Sequence, residues 1–115
     1  MMDGTLIKES LADERILDLL KIRGAEIWKA ENHTADQPKY WTAIFFHAES
    51  EGFIVELSRS LKDSWYVDLS DRAHKVLVFR NKVIRYLPGD AAGKRRAEEY
   101  CRSIGVPESQ IDWND

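Results

Sequence analysis

One cysteine, Cys101, is the whole thiol complement of the chain, so an internal disulfide is excluded. A lone thiol suits a reducing compartment, and a cytoplasmic protein is the resulting expectation. Apolar runs stop after a handful of residues, far short of the ~18–20 needed to cross a bilayer, so no membrane partner is expected. The opening residues lack a basic stretch followed by an apolar one, so no secretory signal is expected either. Proline is scarce (Pro38, Pro88 and Pro107), and no repeat, linker or low-complexity tract divides the chain. A single globular domain over 1–115 follows.

Signatures of chemistry are missing as well. There is no cysteine pair, no His-x-x-x-His, and no calcium-loop spacing among Glu49, Glu51 and Glu56. Residues 90–94 look superficially like a phosphate loop, but the glycine spacing differs and Arg95 stands where Ser or Thr would bind magnesium. Neither a cofactor nor a metal is implied.

What is present reads as an ordinary globular composition, 43% hydrophobic and 32% charged, with four each of Trp, Tyr and Phe to fill a core. Ser10 and Asp13 resemble a helix cap, Ile16, Leu17 and Leu20 form one apolar stripe, and Gly24 supplies a stop. These predict a helix over 11–22. Alternation predicts a half-exposed strand over 25–31 and a strand apolar on both faces over 40–48, central in its sheet. A hairpin loop at 49–52 leads to a returning strand at 53–57, then a strand at 65–69. Strands at 76–79 and 83–87 pair about a turn at Asn81, which tolerates positive φ. After Pro88-Gly89, Asp90 caps a last helix whose stripe is Ala97, Tyr100, Cys101 and Ile104. Gly105 and Pro107 end it, and Val106, Ile111 and Trp113 fold the tail back. The expected fold is α+β: one antiparallel sheet of five to six strands, with an N-terminal and a C-terminal helix packed against one face.

Candidate catalytic groups have simpler structural readings. His47 lies two residues from Glu49, so the two could form a His–carboxylate pair, but a histidine at a strand end beside a solvated glutamate is the favoured reading. His33 and His74 read as surface residues. Cys101 falls on an apolar helical stripe, which favours core packing over nucleophilic use. Glu56 and Asp68, if brought together on adjacent strands, would be the acids of a small metal-dependent nuclease. No catalytic residue is assigned, and a non-enzymatic protein is expected.

Charge is distributed unevenly. Residues 1–57 carry six bases and eleven acids, whereas 72–96 carry eight bases and one acid, Asp90. Arg72, Lys75, Arg80, Lys82, Arg85, Lys94, Arg95 and Arg96 are therefore the candidate macromolecule-binding residues. A basic hairpin of this kind can follow phosphates, or it can protect an exposed strand edge. Trp28, Tyr40, Trp41, Trp65 and Tyr66 are candidate interface anchors, with core packing as the alternative.

The segment Ala97-Glu98-Glu99-Tyr100, followed by Gly105-Val106-Pro107 and Trp113, resembles the ending of bacterial toxin-immunity proteins of the Imm1 type. The strand at Trp65-Tyr66-Val67 is compatible with it. The resemblance covers roughly the last third of the chain and consists of caps and core positions, so no toxin-contacting residue is carried over. It implies a non-catalytic inhibitor whose partner is a toxin or defence-system protein of bacterial or phage origin. A nucleic-acid-binding protein and a small nuclease are the alternatives.

Overall fold

Alternation along each strand sorts the side chains of this protein onto two sheet faces, and each face receives its own helix. The computed structural model describes residues 2–49 and 52–114. It contains β1 (Met2–Ile7), 3-10 turns at Lys8–Ser10 and Glu14–Leu19, β2 (Lys21–Lys29), β3 (Tyr40–Ala48), and α1 (Gly52–Ser60). It continues with β4 (Val67–Ser70), β5 (Lys75–Phe79), β6 (Lys82–Tyr86), α2 (Ala91–Ser103) and a last 3-10 turn, Glu108–Gln110. All six strands join one antiparallel sheet in the order β2-β3-β1-β4-β5-β6. The α+β class is as expected.

Two local expectations are corrected, and one strand is added. The helix over 11–22 is reduced to the 3-10 segment Glu14–Leu19, capped by Asp13 accepting from the Arg15 backbone N–H. Lys21 and Ile22 instead pair with His47 and Phe46 of β3, and Gly24 sits in a bulge inside β2 rather than at a helix end. Sheet hydrogen bonds over nine residues outweigh an apolar stripe one turn long. The strand over 53–57 is the helix α1: Phe53, Ile54, Leu57 and Ser58 are buried while Val55 and Glu56 are exposed, a period of 3.6 rather than 2. Of the expected hairpin loop, Ser50 and Glu51 lie outside the described residues. Finally, the opening residues form β1, which lies between β3 and β4.

The helices lie on opposite faces, not on one. Leu6, Ile44, Phe46, Leu69, Val76 and Val78 pack with Phe53, Ile54 and Leu57 of α1. Leu77, Phe79 and Tyr86 pack with Ala97 and Cys101 of α2, and with Val106 and Trp113 of the tail. Two features fasten α2 there. Gly105, at φ +87°, lets its own N–H reach Arg102 O and the Val106 N–H reach Cys101 O, closing the helix and turning the chain. At the other end Asp90 accepts from the Gly93 N–H, and a Cβ on Gly93 would lie 2.4 Å from Tyr86 Cβ.

Where β1 ends, Glu9 takes over its pairing role. Its carboxylate accepts the Thr42 backbone N–H at 2.6 Å and the Thr42 hydroxyl at 2.9 Å. Burial opposes the charge, but the two Thr42 donors prevail and hold the Glu9 pKa below its ordinary value.

Two outcomes are expected. Helix propensity alone favours Gly93→Ala by about 1 kcal/mol. The contact with Tyr86 reverses that sign, so chemical denaturation will show net destabilisation of about 1–3 kcal/mol. Glu9 binds fewer protons folded than unfolded near its pKa, so its contribution is full above the usual glutamate range and is lost as pH falls through the lowered folded value. Urea midpoints followed downward from about pH 6 will therefore fall less steeply for Glu9→Gln than for the wild type.

Candidate functional site

α2 and the tail cover β5, β6 and the adjoining part of β4, and they leave the β2-β3-β1 half of that face open. β2 is the sheet edge on this side, and nearly all its residues are exposed. Ile27 is 68% exposed and Trp28 40%, unusual for side chains of their size, and Ile22 and Tyr40 are exposed beside them. Pairing with β3 puts Ile22, Ile27 and Tyr40 toward the α1 side and Trp28 toward the open face, directly opposite Trp41. The bulge between Ile22 and Gly24, together with Lys21, Arg23 and Lys29, discourages strand pairing near the ends of β2. The middle, Ala25 to Trp28, is left accessible.

Between the open half and residues 109–114 of the tail runs a cleft of about 560 Å³. Trp28, Trp41, Trp65, Tyr66 and Trp113 form its walls, and Thr5, Asp68 and Lys75 lie on its floor. The tail wall is fixed by hydrogen bonds. Tyr66 donates to Gln110 O, and burial raises the Tyr66 pKa so that the phenol keeps its proton. Gln110 in turn bonds the Gln37 side chain at 2.7 Å and Asn32 O at 3.2 Å, bridging the tail to the β2–β3 loop. On the floor, Lys75 is only 4% exposed, and its Nζ lies 3.1 Å from Asp68 Oδ2. A diagonal across β4 and β5 brings them together, since Asp68 pairs with Leu77 and Ser70 with Lys75.

The eight basic candidates do not form one surface. Lys75 is buried in the cleft floor. Arg72 is exposed in the turn before β5, at the opposite end of that strand from Arg80. Arg80 is engaged by Leu61 O and by Asp63 at 3.6 Å, and the Lys82 ammonium lies 5.5 Å from the Tyr100 ring centroid. Alternation along β6 puts Lys82 and Arg85 on opposite faces. Lys94, Arg95 and Arg96 occupy the first turns of α2, with Arg95 and Arg96 exposed.

The other candidates separate too. His47 hydrogen-bonds Asp3 at 2.6 Å, whereas Glu49 lies 3.6 Å from Lys21. The His47 hydrogen bond, aided by Arg23, holds the Asp3 carboxyl below its ordinary range. Glu56 is on α1 and Asp68 is on the opposite face of the sheet, so these acids do not converge. Among the described residues no cluster of three His, Cys, Asp or Glu side chains is arranged to hold a metal ion. Burial pushes the Cys101 thiol up to about 12, in keeping with a core role.

Of the aromatic anchors, Trp28, Trp41, Trp65 and Tyr66 meet at the cleft, whereas Tyr40 faces the α1 side of the sheet. The Asp68–Lys75 floor and the Gln37–Gln110 bridge were not legible, because both depend on strand order and tail placement. The floor pair makes an asymmetric prediction. Asp68→Ala strands a buried ammonium and will cost about 2 kcal/mol in urea denaturation. Lys75→Met keeps the shape, leaves only a half-exposed carboxylate, and will cost under about 1 kcal/mol. No family model, curated protein or solved structure matches this chain.

Proposed function

We propose that this chain is a small non-enzymatic protein-binding inhibitor, an immunity protein that neutralises a bacterial toxin or a comparable bacterial or phage anti-defence inhibitor. The observation that carries the reading is the bare β2 half of the sheet, where Ile22, Ile27, Trp28 and Tyr40 stay exposed along an edge that no described strand pairs. Large aromatic and branched side chains in such a place are the usual anchors of protein interfaces. An open edge also accepts a partner's strand, with main-chain hydrogen bonds supplying affinity and flanking side chains supplying selectivity. The C-terminal likeness to Imm1-type immunity proteins supports the same reading. So does the acidic first half of the chain, which favours fast association with a basic partner such as a nuclease toxin. Basic side chains divided between two faces and two strand ends give less support to nucleic-acid binding.

Affinity capture from source cells, repeated with an Ile27→Asp/Tyr40→Ala variant whose circular dichroism is native, tests the proposal. The wild type is expected to retain one protein in stoichiometric amount, and the variant to lose it by at least about tenfold, since each buried anchor contributes on the order of 2 kcal/mol. Absence of any stoichiometric partner, or equal retention by the variant, contradicts the reading. So does a salt-sensitive shift of DNA or RNA mobility by the wild type.

A further inference from the structure

We infer that the cleft between the open half of the sheet and the tail is a second binding site, one that takes a neutral polyhydroxylated ring, a sugar unit. Its volume of about 560 Å³ falls within the roughly 300–1,000 Å³ of small-molecule sites. The walls are aromatic, and the polar atoms of Trp28, Trp41, Tyr66 and Trp113 are already engaged within the protein. Trp28 Nε1 donates to Glu26 Oε2 at 2.9 Å, Trp41 Nε1 to Pro38 O at 2.9 Å, and Trp113 Nε1 to the Tyr86 hydroxyl at 2.7 Å. The Tyr66 hydroxyl is held by Gln110 O. Trp28, Trp41 and Tyr66, which are not fully buried, therefore offer a ligand carbon surface and π-density, which suits the C–H face of a saturated ring.

The floor sets the polar half of the recognition. The Lys75 ammonium carries three N–H donors, and its one hydrogen-bond partner among the described residues is Asp68 Oδ2. Asp68 Oδ1 accepts from no described residue. Unused donors and an unused acceptor thus lie side by side at the bottom of an aromatic cleft, with Thr5 directly opposite Asp68 in the strand register. The Lys75 side chain is buried and that of Asp68 is 29% exposed, so a ligand in the cleft reaches this pair from the open side. On the floor Asp68 offsets Lys75, and farther out Lys29 stands beside Glu31 and Asp112, so two bases against three acids give an anion no advantage and a cation little. A neutral group with an acceptor beside a donor satisfies both. Adjacent ring hydroxyls provide that arrangement, one accepting from Lys75 and its neighbour donating to Asp68. Asn32 and Asn114 at the rim add side-chain amides for the outer hydroxyls.

The proposal goes beyond the protein-binding reading and shares only Trp28 with it; the residues changed in the two tests differ, so the two fail separately. Titrations of glucose, galactose, N-acetylglucosamine, maltose and cellobiose, followed by tryptophan fluorescence and backbone amide NMR, test it. At least one sugar is expected to saturate with Kd no weaker than about 10 mM, moving amides of β4, β5 and the tail. Disaccharides binding tighter than monosaccharides would identify an oligosaccharide as the natural source. Lys75→Met and Thr5→Val, each with native amide dispersion, will weaken that binding by at least about tenfold, whereas Ile27→Asp, outside the cleft, will leave it unchanged. The inference is overturned if no sugar saturates, if adenosine or uridine binds and the sugars do not, or if sugar binding survives Lys75→Met.

Discussion

β5 is apolar on both sides, and that demand for two covers organises the molecule. All five of its residues are buried, Val76 and Val78 beneath α1 and Leu77 and Phe79 beneath α2. A helix with its side chains is about 10–12 Å across and strands lie about 4.8 Å apart, so one helix shields only two or three strands. Six strands with one helix to a face cannot all be shielded. On the α1 side the 3-10 segment carrying Ile16 extends the cover. On the α2 side the extension is the tail, held by the Trp113–Tyr86 hydrogen bond and by Gln110. Both covers stop short of β2.

The same geometry explains what was legible in the sequence. β3, the β5–β6 hairpin and α2 with its Asp90 cap and Gly105 stop each announce themselves by local pattern, and Asn81 adopts the positive φ assigned to its turn. The failures arose where the deciding partner is distant. The helical stripe near Leu17 yielded to pairing with β3, and 53–57 is short enough to satisfy both periods until its burial is known. β1 offers too few apolar residues to stand out, yet it is central because Leu6 and Met2 face the core. Opposite placement of the helices follows from the two-sided burial of β5, where Val76 and Val78 alternate with Leu77 and Phe79.

The candidate site was legible in its aromatic residues and not in its polar ones. Charge density along 72–96 suggested one surface, but strand alternation and hairpin geometry divide those side chains among the cleft floor, two faces and two ends of β5. Lys75 illustrates the difference: the sequence counts it as part of a basic surface, and the fold makes it a buried partner of Asp68. Both proposals rest on what the helices leave bare: an edge with exposed Ile27 and Trp28, and an aromatic cleft beside it.

Amide hydrogen exchange of the isolated protein addresses the central claim most directly, because it reports how unevenly the sheet is sheltered. The account predicts that amides of β5 exchange only through global unfolding, while amides of β2 pointing away from β3 exchange with little protection. Strong, uniform protection across both strands would show that β2 is already covered, and the assignment of that edge as a free binding surface would be wrong.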